Sequence, residues 1–356
     1  GKPMIEHVVD CASSLGTEHI HLVVGHGADL IKTHFIGDDS AAGYTSHEGI
    51  KGGDLNFVIQ EEQLGTGHAV KQAIPSIPAR SVEDRVLVLY GDVPLVSKDS
   101  LQELIEASAM SPLGVFTLFT QNPEGLGRIV RDESHQLKAI VEERDADDFE
   151  KAIYEINSGV YAFDAKKLSG AIGKLTNNNS QGELYLTDVI EILRNEGGTI
   201  AAALIEDFIE ILGVNDRVQL AESAALLRDR INEGFMRAGV TIVDPTTTWI
   251  DATAQIESDV TIFPGTAILG SSKIATGAVI GPRTTIESCN VLEGASVVES
   301  NCFEATIGAG ATVGPYSYLR KGTNLGAGAK AGAFVEMKNV KVGDGSKVPH
   351  LSYVGD

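Results

Sequence analysis

Residues 250–286 read IDATAQIESDVTIFPGTAILGSSKIATGAVIGPRTTI. Every sixth residue is Ile250, Ile256, Ile262, Ile268, Ile274, Ile280 and Ile286, and the series runs on through Leu292 and Val298. The phase then slips and resumes at Ile307, Val313, Leu319, Leu325, Ala331 and Met337, followed by Val342, Val348 and Val354. Glycine often follows the aliphatic residue, as in Ile280-Gly281, Ile307-Gly308 and Val342-Gly343. Neither a helix nor a two-faced strand repeats every six residues. A parallel β-solenoid does. Each hexapeptide supplies one short strand and a turn, and three make a triangular coil of about 18 residues. The aliphatic side chain points into the prism, and a small residue tolerates the tight corner. About six such coils are expected here.

Upstream the pattern changes. Between Asn215 and Gly239, residues Val218, Leu220, Ala221, Ala224, Ala225, Leu227, Ile231 and Phe235 recur at helical spacing. This predicts one long helix, capped by Asn215 or Asp216, ended by Gly239 and linking two domains. Residues 1–214 alternate apolar strands with amphipathic helices. Helices are expected at 4–15, from about Gly67, at 98–110 and at 186–196. Strands are expected at 20–24, 56–60, 85–90, 114–120, 137–141 and 156–163. Such alternation predicts a mostly parallel, doubly wound sheet, which binds ligands at the carboxyl ends of its strands.

Composition narrows the function. The 356 residues carry a net charge of −21, with 43% hydrophobic and 22% charged residues. That is a globular composition, and its acidity argues against nucleic acid as a partner. No apolar run is long enough for a membrane span. Cys11, Cys289 and Cys302 show no metal-ligand spacing and read as thiols of a reducing, cytoplasmic protein.

The strand ends carry the chemistry. Gly91-Asp92-Val93-Pro94 follows strand 85–90, and a carboxylate there suits a hard cation facing phosphate oxygens. Gly65-Thr66-Gly67 opens a helix whose backbone amides can meet an anion or a base edge. Taken singly, each also fits an ordinary turn. His26 reads as a loop residue, and most of the acidic stretch 142–148 as a solvated helix start. Further strings occur in order: Gln60-Glu-Glu-Gln-Leu-Gly-Thr-Gly-His68, Leu89-Tyr-Gly-Asp-Val-Pro-Leu95, Gly127-Arg-Ile129, Ile140-Val-Glu-Glu143, Glu155-Ile-Asn-Ser-Gly159, Leu175-Thr-Asn-Asn-Asn-Ser-Gln-Gly182 and Gly213-Val-Asn215. In the solenoid stand Tyr318-Leu-Arg320, Phe334-Val-Glu-Met-Lys338 and His350-Leu-Ser-Tyr-Val-Gly-Asp356.

Together these strings closely resemble the bacterial bifunctional N-acetylglucosamine-1-phosphate uridylyltransferase / glucosamine-1-phosphate N-acetyltransferase family, from Gly1 to Asp356. The resemblance implies an α/β Rossmann-like nucleotidyltransferase domain at 1–214, a linker helix at 215–239 and a left-handed parallel β-helix of hexapeptide repeats at 240–356. It implies a cytoplasmic homotrimer that makes UDP-N-acetylglucosamine for peptidoglycan and lipopolysaccharide, with Mg²⁺ as cofactor and UTP and acetyl-CoA as co-substrates. Carried over by position, Asp92 and Asn215 hold Mg²⁺. Gln60, Gly65, Thr66, Tyr90 and Gly91 contact the nucleotide, and Gly127, Glu142, Asn157 and Asn215 the N-acetylglucosamine 1-phosphate part. For acetyl transfer, His350 matches the general base, Arg320 and Lys338 the phosphate-binding cations, and Tyr353 a sugar contact.

The sequence departs from the family at both ends. Family members begin with a strand and a Gly-rich loop that wraps the triphosphate, followed by a Lys. Here the sequence starts just after that segment. At the other end the family continues with coils that take acetyl-CoA. The expectation is therefore an internal fragment, with little uridylyltransferase and no acetyltransferase activity as given. Two rivals fit the same residues less well. One is a sugar-1-phosphate nucleotidylyltransferase of other specificity with a structural β-helix. The other is a non-catalytic scaffold that binds a nucleotide sugar.

Overall fold

In the computed structural model, which describes residues 1–36, 54–78 and 84–356, the chain from Thr241 onward winds into three parallel sheets of seven, six and seven short strands. Each strand pairs with the one a coil later, so Ile250 lies beside Ile268, and Ile268 beside Ile286. These aliphatic residues form one continuous core in which Ile262, Ile268, Ile280 and Ile286 are fully buried. Two residues before each stands a small or modest buried residue, such as Thr266, Ser272, Ala278 or Thr284. The prism is too narrow for anything bulkier at these corners.

The period-six series is wrong at two places. After Ile286 the inward residues are Val291, Val297, Cys302 and Ile307, not Leu292 and Val298. The steps to Val291, Cys302 and Ile307 are five residues long. The corners of these steps are at Ser288, Glu299 and Glu304, whose φ values of 51°, 44° and 46° are left-handed. Leu292 and Val298 stand one place late, half-buried.

The helix Arg217–Arg237 belongs to the same compact unit as the prism. Asp216 is its N-cap, accepting from the Val218 and Gln219 amides at 2.8 Å. Gly239, with φ 96°, follows its last turn. Ile231 and Phe235 pack on the prism core. The buried Asn232 donates to the carbonyls of Pro245 and Thr248 at 2.9 Å each, tying the helix to the first coil.

The other unit, Met4–Asn215, is α/β. Its elements in chain order are α1 (Met4–Ser14), β1 (His19–Val24), α2 (Ala28–Ile36), β2 (Asp54–Ile59), α3 (Thr66–Ala73), β3 (Arg85–Val88), α4 (Lys98–Ala107), β4 (Leu113–Phe119), β5 (Arg128–Arg131), β6 (Leu137–Val141), α5 (Asp148–Lys151), β7 (Glu155–Asp164), α6 (Ala165–Ile172), α7 (Asp188–Asn195) and β8 (Ala201–Leu204). β1 and β2 pair in parallel as a sheet of their own. A second sheet runs β6-β5-β7-β4-β8, with β3 pairing residues 161–164 at the far end of β7 from its contact with β5.

This second sheet is not mostly parallel. β7 is ten residues long and runs antiparallel to β3, β4 and β5, while β4–β8 is its parallel pair. β5 and β6 form a hairpin closed by Asp132, whose side chain accepts from the Ser134 and Gln136 amides at 2.9 Å. A tight link of this kind forces antiparallel pairing. Apolar side chains of α6 and α7, among them Leu168, Val189, Ile190 and Leu193, pack on one face of this sheet. Leu101 and Leu104 of α4 pack on the other.

Candidate functional site

β3 ends at Val88, and Tyr90, Gly91 and Asp92 follow it. These three residues line a cavity of about 910 Å³, together with Thr66 at the start of α3. The cavity lies between β1 and β3, which do not pair, and α1 and α3 contribute Val9, Ala12, Val70 and Ala73 to its wall. Asp92 is fixed through its backbone, whose carbonyl accepts from the Val214 amide at 3.0 Å. That bond brings the Gly213–Asn215 segment alongside. A Cβ on Gly213 would stand 3.9 Å from both Asp92 Oδ2 and Asn215 Nδ2, so the two side chains converge there. Among the described residues no group of three or more His, Cys, Asp and Glu could hold a metal by itself.

A second group gathers around Gly127. A Cβ on Gly127 would stand 3.5 Å from Glu142 Oε2 and 3.6 Å from Asn157 Cβ, so both residues lie against its backbone. The Asn157 amide donates to the Gly127 carbonyl at 2.9 Å. Next to it, Arg128 is buried and paired with Glu143, which pins the turn. Thr187 Oγ1 donates to Glu142 Oε1 at 3.1 Å. Burial pushes the Glu142 carboxyl above its usual range, with the nearby Asp145 charge adding to the shift. Asn157 Nδ2 donates to the Tyr161 hydroxyl at 2.7 Å, and Tyr161 is hydrogen-bonded to Tyr90. Burial, with Glu142 and Asp92 close by, pushes the Tyr90 phenol up to about 12, so it stays neutral. Tyr90 thus links the Asp92 end to the Glu142 end. Its ring lies where a Cβ of Gly159 would stand, and Gly159 is left-handed at φ 79°.

A third group closes the other side of α3. Gly65 has φ 101°, and a Cβ there would stand 2.7 Å from the Leu184 carbonyl. That carbonyl accepts from the Gly67 amide at 2.8 Å, and Thr66 Oγ1 accepts from the Leu186 amide at 3.1 Å. Gln60, just after β2, donates through Nε2 to the Gly65 carbonyl at 3.3 Å. The segment Leu184–Thr187 therefore touches Gly65, Gly67 and Thr66 at one end and Glu142 at the other.

In the prism, Tyr318, Glu336 and Tyr353 stack in register on one sheet. The Arg320 amide donates to the Met337 carbonyl at 2.8 Å, which sets Arg320 beside Lys338 on that sheet. Arg320 pairs with Glu336 at 3.1 Å, and Lys338 with Asp356 at 3.3 Å. His350 is exposed in the corner before strand Tyr353–Gly355, at the other end of the same face. Cys289 and Cys302 are buried in the core, where burial pushes the Cys289 thiol up to about 11.

Comparison with known proteins bears on these groups. Residues 1–151 match the MobA-like NTP transferase domain. The bifunctional protein GlmU of Rhodococcus opacus is 46% identical over 361 residues, covering 100% of this chain and 70% of that protein. The GlmU protein of Brevibacillus brevis is 42% identical, covering 100% of this chain and 74% of the relative. That of Mycolicibacterium smegmatis is 44% identical, covering 100% and 72%. The chain belongs to the GlmU family. It is a bifunctional enzyme of UDP-N-acetylglucosamine biosynthesis, a uridylyltransferase and an acetyltransferase, handling nucleotide, sugar phosphates and acetyl-CoA. No helix among its described residues is long and apolar enough to cross a membrane.

The GlmU-family motifs point to Gln60, Glu142 and Asn157 but leave out the residues that brace them. Thr187 and Tyr161 are such residues, and both are buried. Glu155-Ile-Asn-Ser-Gly159 carries a signal for Gly159, since a glycine inside a strand marks close approach. Thr187 has a weaker one. It stands at the N-cap of α7 yet makes no capping bond, because its hydroxyl serves Glu142.

Proposed function

We propose that the α/β unit performs uridylyl transfer at the cleft between Asp92 and Glu142, and that the prism face carrying Arg320, Lys338, Tyr353 and His350 performs acetyl transfer. The observation that carries the first half is the convergence of Asp92 Oδ2 and Asn215 on Gly213, beside Tyr90 and Glu142. A carboxylate and an amide oxygen are hard ligands that fit Mg²⁺; Asn215 would present Oδ1 after a half-turn of its carboxamide, and phosphates and water would complete the shell. The metal would neutralise charge on the phosphate oxygens. Asp92 and Asn215 would hold it.

The chain's own residues do the positioning. Gln60, Gly65 and Thr66 take the nucleotide base, and Tyr90 and Gly91 flank it. Gly127, Glu142 and Asn157 take the sugar. Glu142 Oε1 is held by Thr187, which leaves Oε2 to accept from a sugar hydroxyl. The sugar-phosphate oxygen attacks the α-phosphorus of UTP in line. A new P–O bond forms, the bond to the β-phosphate breaks, and pyrophosphate leaves. Fixed geometry and charge neutralisation lower the barrier. In acetyl transfer, Arg320 and Lys338 hold the phosphate of glucosamine 1-phosphate. His350 takes a proton from the amine as nitrogen attacks the thioester carbonyl of acetyl-CoA; the C–N bond forms, the C–S bond breaks, and the CoA sulfur takes up a proton from His350 and leaves as the thiol.

The setting we propose is a cytoplasmic homotrimer packed through its prisms. Support comes from an apolar corner of the prism. Tyr316 and Phe334 stack with centroids 5.1 Å apart, both 55% exposed, and Leu351 stands beyond them at 76%. Exposed apolar stripes of this kind mark interfaces.

The test is calorimetric titration of UDP-N-acetylglucosamine into the chain, with and without Mg²⁺. Binding should strengthen with Mg²⁺. Asp92→Asn should weaken binding about tenfold or more and remove the Mg²⁺ dependence, as for loss of a charged ligand. His350→Ala should leave this binding unchanged. Equal binding by wild type and Asp92→Asn at every Mg²⁺ concentration overturns the assignment.

A further inference from the structure

Gln60 ends in a carboxamide, which can present either a donor or an acceptor to a ligand. Three contacts decide which. Gln60 Nε2 lies 3.3 Å from the Gly65 carbonyl and 3.1 Å from His68 Nδ1. The other ring nitrogen, His68 Nε2, lies 2.9 Å from Gln72 Nε2, one turn along α3, so a carboxamide nitrogen faces the ring on both sides. A neutral imidazole has one donor nitrogen and one acceptor. The contact with His68 alone fits either tautomer. The Gly65 carbonyl breaks the tie, because it can only accept. The Gln60 end facing it must therefore be the NH₂ group. One hydrogen goes to the Gly65 carbonyl and the other to His68 Nδ1, so Nδ1 is the acceptor. The ring proton then sits on Nε2, and the Gln72 carboxamide, whose oxygen and nitrogen exchange by a half-turn, must turn from the nitrogen-facing orientation to accept it with its oxygen. Both hydrogens of Gln60 are used, and its carbonyl oxygen Oε1 is what remains for a ligand.

This bears on base selection and rests on the proposed placement of the nucleotide base at Gln60. Uracil carries an N–H between its two carbonyls. Cytosine carries an unprotonated nitrogen acceptor at the same ring position. An oxygen there accepts from uracil and repels cytosine. Nothing in a glutamine alone makes that choice, since a half-turn about its last bond exchanges oxygen and nitrogen at almost no cost. We propose that His68, itself held by Gln72, is a positioning residue that, as the second acceptor beside the Gly65 carbonyl, locks the Gln60 carboxamide with its oxygen toward the base, so that the site selects uracil over cytosine. Gln72 lies in α3 and His68 one turn before it, so the lock is built on a helix rather than a loop.

The experiment is the ratio of affinities for UDP-N-acetylglucosamine and its cytidine counterpart, measured by calorimetry on wild type, His68→Leu, His68→Asn and Gln72→Met. The wild type should favour the uridine ligand by about a hundredfold, as expected when a mismatched buried polar group is left unpaired. His68→Leu removes one of the two acceptors, leaves the carboxamide held by the Gly65 carbonyl alone, and should cut that ratio about tenfold. His68→Asn restores an acceptor near the Nδ1 position and should recover most of it. Gln72→Met keeps the ring but loosens it and should cut the ratio about threefold, which reads the same lock if His68→Leu fails to fold. A folded His68→Leu or Gln72→Met with the wild-type ratio overturns the proposal, even if both ligands bind more weakly, since that is what a purely structural role produces. If the wild type binds neither ligand, the nucleotide-site reading itself fails, and the proposal with it.

Discussion

The two units of this chain store information differently. In the prism, steps of six residues, shortened to five at some corners, make each coil, and every coil repeats the same three strand pairings. Ile268 is buried for the same reason as Ile250 and Ile286. In the α/β unit no rule repeats. Glu142 is held by Thr187, 45 residues away, and Thr66 meets Leu186 across 120 residues. The first kind of order is local and redundant. The second is assembled from single contacts between distant segments, so one residue can matter to the site without mattering to the fold. Substitutions should separate these cases.

The largest effect should come from putting charge into the prism. Ile286 is fully buried, with Ile268 and Cys302 beside it. Ile286→Asp loses its apolar contacts and buries an unpaired carboxylate, costing about 5 kcal/mol. Urea unfolding should show an early prism transition, while UDP-N-acetylglucosamine binding in the α/β unit stays within about twofold. Loss of that binding would break the contrast, because it would make the site depend on the prism.

The next effect runs the other way, large at the site and modest for the fold. Gly159→Ala meets both a left-handed backbone at φ 79° and the Tyr90 ring. The strain costs about 2 kcal/mol. Displacing Tyr90, which links Asp92 to Glu142, should weaken nucleotide-sugar binding about a hundredfold. Gly294 in the prism is the matched control. Its φ is 64°, and no atom stands near a Cβ there. Gly294→Ala should cost only about 1 kcal/mol and leave binding alone. Equal effects of the two substitutions on binding would remove the role given to Tyr90.

The same contrast explains what could be read in the sequence. The prism's architecture follows from its period, and the errors at Leu292 and Val298 arise because five-residue steps are invisible when an aliphatic residue happens to follow. In the α/β unit the strong strands β4, β6 and β7 are legible from their apolar runs. Four short or weakly patterned elements, α2, β5, α6 and β8, are not. Strand direction is also hidden. Alternation suggests parallel pairing, but the long β7 and the hairpin of β5 with β6 turn most of the second sheet antiparallel. Proposed site residues such as Asp92 and Glu142 stand in recognisable strings. Their braces, Thr187 and Tyr161, are ordinary residue types whose meaning comes only from distant partners.

Asp188 gives the smallest and sharpest test of that last point. It is the first residue of α7, directly after Thr187. Burial, followed by the charges of Glu191, Glu142 and Asp145, raises its carboxyl from 3.8 to about 6. The folded chain therefore keeps a proton on Asp188 up to about pH 6, whereas the unfolded chain gives it up near 3.8. Folding takes up a proton across that window, so the contribution of Asp188 to stability falls as pH rises through it and is flat above it. Ionised above pH 6, Asp188 is a cost. Asp188→Asn keeps the shape and removes the charge. Since the group is only partly buried, the gain at pH 7.5 should be about 1 kcal/mol, seen as a rise of a few degrees in the melting temperature of the α/β unit. Below pH 4 the variant and wild type should melt together. A constant gap across pH would mean that packing, not charge, sets the effect. A gap that grows as pH falls would mean that the carboxylate is stabilised in place, by the positive end of α7, more than it is penalised by burial.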